Sequence, residues 1–285
     1  MAVVVSLLAA AMFGAGDFIG GVAAKRLRAI QVVAGSHIVG LFGSLLFALA
    51  TGASATMTDL FLGVVGGLLG GVGVWFLYRR LAVGPMHVVA PVTAVSAAVV
   101  PTLWGFVIGE RLSAAVGAGL VLALVAIALV SRSTPTGGEA PVTAVVVGES
   151  LLAGAGFGGF FVFLDATSAA SAPWPVVSAR FATGVGLALY LLATHRRHGA
   201  SAAFSWLRSP VVVMVVAVGV LDTAANVAFL WATSRVPLAV VSVLTSLYPI
   251  ATVLLARAFL EERMNRWQQV GLAGAITASA IIGAA

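Results

Sequence analysis

The chain has 285 residues, 61% of them hydrophobic and only 8% charged, against roughly a quarter charged in a soluble domain. So few polar side chains can neither cover a water-facing surface nor keep a chain disordered, which excludes soluble globular and intrinsically disordered proteins. The formal charge is +6, from 15 Lys+Arg against 9 Asp+Glu, but the basic residues lie between apolar runs and so read as membrane-surface anchors, not as a nucleic-acid footprint. Cysteine is absent, so disulfides, thiolate sites and Cys-ligated metals are excluded, and neither a metal nor any other cofactor is expected.

A spanning helix needs about 20 mostly apolar residues. Ten such runs follow in order, over 2–22, 30–50, 60–78, 86–108, 113–131, 143–164, 174–194, 210–232, 237–259 and 267–284. The first lacks a basic leading region and nine more spans follow it, so it is expected to stay as a helix and not to be cleaved as a signal peptide. The longest polar stretches, 132–142 and 195–209, are too short to hold a soluble domain. Thr134-Pro135-Thr136-Gly137-Gly138, followed by Glu139 to Pro141, reads as a linker between two halves.

An internal repeat supports that division. Residues 6–14 (SLLAAAMFG) and 150–158 (SLLAGAGFG) are identical at seven of nine positions, and Val32-Val33 matches Val176-Val177 at the same shift. Farther on, Pro85 matches Pro237, Thr93 matches Thr245, Glu110-Arg111 matches Glu262-Arg263 and Gly119 matches Gly271. The predicted units are a first five-helix repeat over 1–135 and a second over 143–285. An odd number of spans per repeat inverts the second in the membrane, the architecture of many secondary transporters, whose substrate site lies at the repeat interface. The fold class expected is therefore an all-α integral membrane protein with ten transmembrane helices as two inverted repeats.

Two stretches carry a family resemblance: Pro91-Val-Thr-Ala-Val-Ser-Ala-Ala-Val-Val-Pro101 running to Gly109-Glu110-Arg111, and Ser242-Val-Leu-Thr-Ser-Leu-Tyr-Pro249 running to Glu261-Glu262-Arg263. With the ten spans and two halves, they resemble the EamA-type branch of the drug/metabolite transporter superfamily, over essentially the whole chain. The resemblance implies a central cavity lined by the first four helices of each half, a peripheral fifth helix in each, and movement of small metabolites or drugs, often amino acids. It also implies both termini inside. The charge count points the other way: twelve Lys/Arg, among them Lys25, Arg26, Arg28, Arg79 and Arg80, fall on one side, against Arg111 and Arg235 on the other. The positive-inside rule then puts both termini outside, and this reading is preferred.

Ionisable groups inside a span cost about 2.5–3.5 kcal/mol or more and are functional candidates by default. Asp222 sits mid-way along the eighth span with Asn226 one turn on, so both share a face. Asp17 in the first span is flanked by Gly14, Gly20 and Gly21, a small-residue face open to close approach. Arg180 in the seventh span is a candidate to hold a substrate carboxylate or to neutralise Asp222, and His37 in the second to relay protons. Tyr78 is the preferred aromatic pocket residue; Trp75 and Trp231 fit interfacial belts. Glu149 and Asp165, near the ends of the sixth span, read as solvated at the interface. Pro91, Pro101 and Pro249 are expected to break spans four and nine and expose carbonyls to a cavity. Overlapping GxxxG pairs at 63–67, 66–70 and 67–71 are a helix-packing signal.

Two rivals to a transporter remain. Gly14-Ala15-Gly16-Asp17 fits the GxGD pattern of intramembrane aspartyl proteases, with Asp222 as the second acid, but lacks the rest of that plan. A channel or scaffold is the other, with no filter-like loop to support it. The expectation is a non-enzymatic, multi-pass protein of the bacterial cytoplasmic membrane. Its expected partners are a small-molecule substrate, the lipid bilayer and, as an option, a second copy of the chain, with no nucleic acid.

Overall fold

A computed structural model describes residues 1–83, 86–130, 143–194, 207, 209–260 and 265–284. Most of these are helical: α1 (Ala2–Ala24), α2 (Ala29–Thr51), α3 (Met57–Val83), α4 (Met86–Val107), α5 (Ala114–Val130), α6 (Ala144–Asp165), α7 (Trp174–Arg180), a π-helical turn (Phe181–Val185), α8 (Gly186–Thr194), α9 (Val211–Thr233), α10 (Leu238–Thr245), α11 (Tyr248–Leu260) and α12 (Arg266–Ala284). The helices end where local chemistry stops them. Gly52 takes a left-handed φ of 64° after α2, and Gly109 one of 89° after α4, conformations that cost a Cβ-free residue little. Thr143 caps α6, its hydroxyl accepting from the Val146 amide at 3.3 Å.

Six helical stretches among the described residues are long and apolar enough to cross a membrane: Ala2–Ala24, Ala29–Thr51, Met57–Leu81, Ala144–Asp165, Trp174–Ala193 and Val211–Thr233. Others expected as full spans are shorter. α5 has 17 residues, about 26 Å at 1.5 Å per residue, against a hydrocarbon core of about 30 Å. The ninth apolar run is divided between α10 and α11 at Ser246 and Leu247. The linker around Thr134–Pro141 and the Glu262-Arg263 pair lie outside the described residues.

The prolines sit differently in their helices. Pro249 is the second residue of α11, just after the interruption. A proline there loses no helical hydrogen bond, since first-turn amides have no partner anyway. α4, by contrast, runs unbroken through positions 91 and 101, which corrects the expected breaks. A proline removes a single amide donor, and the flanking turns keep the helix; Thr102 adds a bond from its hydroxyl to the Ala98 carbonyl at 2.7 Å. The Pro91 side chain is outside what is described.

Glycines set how the helices pack. α3 runs between α6 and α7. A Cβ at Gly63, Gly67 or Gly71 would strike Pro175 and Ser178, Ala179 or Thr183 on the α7 side, and one at Gly66 or Gly70 would press on Phe160 of α6. Close backbone approach of this kind is what the overlapping GxxxG pairs predict. α1 packs on α9, α10 and α11; α6 packs on α3 and α4; α2 packs on α9, and α7 on α3. α5 and α12 pack on each other at one side, through Leu120, Ala123, Ile127, Ala275, Ala278 and Ile282.

Polar clamps tie the loops. Glu110 reaches from beyond α4 to the start of α10, its Oε1 accepting from the Leu238 amide at 2.6 Å and its Oε2 from the Ala239 amide at 3.2 Å. A carboxylate there satisfies orphan amides and complements the helix dipole. Glu110→Ala is expected to cost about 1–2 kcal/mol, in the range of lost N-caps; thermal unfolding of the detergent-purified protein measures it. Asp59 is a second clamp, accepting from the Ser168 amide at 2.8 Å across to the α6–α7 connection.

Candidate functional site

The helices leave a central cavity between them, partly open to solvent. Its walls come from α1, α2, α3, α4, α6, α7, α9 and α11, while α5 and α12 contribute none. All six polar residues singled out in the sequence, Asp17, His37, Tyr78, Arg180, Asp222 and Asn226, line it. They come from five helices far apart in the chain.

Arg180 is the centre of a buried network. It is the last residue of α7 and 4% exposed. Nη2 is ion-paired with Asp222 of α9. Nη1 lies 3.0 Å from His37 Nε2 of α2, and His37 Nδ1 lies 2.5 Å from the Thr183 hydroxyl. A guanidinium can only donate, so Nε2 must accept and the proton of a neutral imidazole sits on Nδ1. The Thr183 hydroxyl donates a hydrogen bond to the Ala179 carbonyl at 2.9 Å. Asn226 completes the set, its Nδ2 donating to the Asp222 carbonyl at 2.7 Å and to its side chain at 3.4 Å. Of the two roles expected for Arg180, the geometry shows neutralisation of Asp222. His37 serves as an acceptor for Arg180.

Asp17 stands apart. It lines the same cavity, half-buried, and lies within electrostatic reach of Asp222, Tyr78 and Tyr248, yet no hydrogen bond or ion pair engages it among the described residues. Gly20, one turn on, makes room for Tyr78, since a Cβ there would overlap the phenol ring. The small-residue face around Asp17 thus admits a side chain of α3 on this side and the α11 backbone at Gly14 on the other.

The sequence reading missed several lining groups. The aromatic wall of Phe13, Phe157, Phe160 and Phe161 carries no local signal that separates it from lipid-facing phenylalanine. Phe161 stacks on Phe229 with ring centroids 4.2 Å apart and an interplanar angle of 18°. Tyr248 lines the cavity from the start of α11, with a buried hydroxyl that has no hydrogen-bond partner. The π-helical turn just after Arg180, which carries Thr183, was also unforeseen; such turns are often found at functional sites.

Other candidates fall outside the cavity. Trp75 and Trp231 are near helix ends, as interfacial aromatics should be; Arg79 lies over the Trp75 ring at 5.8 Å and Arg235 over Trp231 at 3.7 Å. Glu149 is not merely solvated. It is paired with Arg80 Nε at 2.5 Å and Arg79 Nη2 at 3.5 Å, which joins α6 to α3. The residue types were readable, but pairing across two helices requires their relative rotation. Pro101 lies against α6 at Gly158.

Comparison with known proteins follows the same lines. The EamA-like transporter family pattern matches residues 145–284. One solved crystal structure superposes with a TM-score of 0.76 at 20% identity, over 98% of this chain and 95% of that one, which shows a shared fold. No curated protein matches the chain in sequence. Through the domain that fills its second half, this multi-pass α-helical membrane protein belongs to the EamA-like transporter family.

Proposed function

We propose that the chain is a secondary transporter that moves a small metabolite or drug across the cytoplasmic membrane by alternating access, driven by protons or by exchange. The observation that carries this is the cavity itself: a carboxylate without a partner among the described residues, a buried Arg180–Asp222 pair and an aromatic wall, all held between helices of both sequence halves.

The packing supports the further reading of ten spans in two inverted halves. Exchanging the halves maps α1 on α9 to α6 on α3, α1 on α11 to α6 on α4, and α2 on α9 to α7 on α3, while α5 on α12 maps to itself. Local contacts repeat too: Ser6 donates to the Ala2 carbonyl and Ser150 to the Val146 carbonyl. Gly14 receives the α11 turn at Tyr248 and Thr252, as Gly158 receives α4 at Val100 and Pro101. Two packing arrangements of equal kind can then exchange as the halves rock around a midplane site. The basic bias of the loops supports an orientation with both termini outside.

The protease reading has one point in its favour, since Asp17 and Asp222 share the cavity. A proteolytic dyad shares one proton between two acids, whereas here Asp222 is committed to Arg180. Solute flux in proteoliposomes tests the proposal. Expected are saturable uptake and counterflow, with Asp222→Asn losing gradient-driven flux while exchange per folded molecule partly survives. Linear, non-saturating flux would mean a channel, and full gradient-driven flux in Asp222→Asn would reduce that residue to packing.

A further inference from the structure

The charges on the cavity wall do not balance. Among the described lining residues two carboxylates, Asp17 and Asp222, face one guanidinium, Arg180. His37 adds no positive charge while its Nε2 accepts from Arg180. Asp222 and Arg180 neutralise each other, so the surplus is the Asp17 carboxylate. An uncompensated carboxylate away from bulk water is costly, and it is relieved by taking up a proton or by a cation beside it.

The unmet hydrogen-bonding groups point the same way. Asn226 is 1% exposed; its Nδ2 is spent on Asp222, and its Oδ1, a pure acceptor, has no partner among the described residues. The hydroxyl of Tyr248, a residue 7% exposed, also has no partner among the described residues and can accept as well as donate. On the guanidinium, Nη2 is ion-paired with Asp222 and Nη1 contacts His37, while Nε, without a hydrogen-bond partner among the described residues, is packed towards α2: a Cβ at Gly40 would lie 3.4 Å from it. What the cavity lacks is therefore a donor that carries positive charge. The remaining wall is aromatic and apolar, with Phe13, Tyr78, Phe157, Phe160 and Tyr248 among it, and aromatic faces attract cations.

We propose that this cavity binds a protonated organic amine with an aromatic or branched apolar body, its N–H groups on the Asp17 carboxylate and Asn226 Oδ1. The inference rests on the transporter reading, in which the bound amine is the cargo. An amino acid zwitterion would bring a third carboxylate to a wall whose single cation is already paired. A bare inorganic cation would leave the apolar and aromatic part of the wall without a partner.

A matched set of indoles separates these classes, since the body stays constant while the charge changes: tryptamine (cation), tryptophol (neutral), tryptophan (zwitterion) and indole-3-acetate (anion). Binding to the full-length purified protein is read by thermal shift and by calorimetry. Tryptamine is expected to raise the unfolding temperature and to bind roughly tenfold or more tightly than the other three, the scale of one charge-assisted contact. Asp17→Asn should weaken tryptamine by about the same factor and leave tryptophol unchanged. If Asp17→Asn does not fold, the wild-type ranking alone decides. Equal or tighter binding of tryptophan or indole-3-acetate, no binding of tryptamine, or tryptamine affinity within about twofold of wild type in folded Asp17→Asn would each overturn the amine assignment and leave transport standing. Tryptamine binding as described, with no flux or counterflow of tryptamine in proteoliposomes, would instead sink the transporter reading and keep the site.

Discussion

Asp222→Asn and Arg180→Met are each expected to destabilise the protein by about 3–5 kcal/mol, and the double variant Arg180→Met/Asp222→Leu by far less than their sum. The asymmetry follows from burial. The Arg180 side chain is 5% exposed and that of Asp222 21%. Removing the carboxylate strands a guanidinium whose remaining partner is a neutral imidazole. Removing the guanidinium strands Asp222 close to Asp17, so two carboxylates then face one another without a cation. Taking out both charges removes the cost of desolvating them, and the methionine and leucine fill the space. Unfolding temperatures of the three variants, followed by fluorescence-detected size exclusion, measure the coupling. A double variant as unstable as the sum of the singles would show that the two residues act separately. The double variant should also show no gradient-driven flux, which would divide the stabilising role of the pair from its functional one.

Gly67→Leu is the second large effect expected. Gly67 sits in the middle of α3, where its missing Cβ leaves room for the Ala179 backbone of α7. A side chain there cannot be accommodated by turning a rotamer, because the atoms it meets are Ala179 Cα, Cβ and carbonyl O. α3 cannot retreat either, since Gly66 and Gly70 are pressed against Phe160 on its other side. Overpacking of this type costs about 1–3 kcal/mol and more when backbone must move. Ala179 precedes Arg180, so moving α7 also displaces the ion pair, and flux is expected to fall at least about tenfold, as for misplacements of about 1 Å at other sites. Gly148→Ala on α6, where an added Cβ meets nothing within 4 Å, is the control, expected to be neutral or stabilising by up to about 1 kcal/mol. Equal behaviour of the two variants would remove close helix approach as the explanation.

Much of this architecture is local and so was legible in the chain. An apolar run in a membrane has to satisfy its own backbone, which leaves a helix as its default. Runs read as 2–22 and 210–232 accordingly form helices over Ala2–Ala24 and Val211–Thr233. A charged or polar side chain inside such a run stands out by its cost, and all of Asp17, His37, Arg180, Asp222 and Asn226 turn out to line one cavity. The glycine spacing on α3 likewise announces close contact without saying with which helix.

What the chain could not announce is which faces meet. A membrane helix is apolar on its lipid side and on its packed side alike, so periodicity does not mark the inward face as it does in water. Only the assembled helices decide that Arg180 pairs with Asp222 and His37 while Asp17 is left alone. The same holds for Glu149, bound to Arg79 and Arg80 on another helix, and for the aromatic wall, whose phenylalanines differ from lipid-facing ones by helix rotation. Residue chemistry, written in the chain, determined what the buried groups are. Their partners, and with them the unbalanced charge that selects a ligand, were set by the rotation and depth of helices packed far apart in sequence.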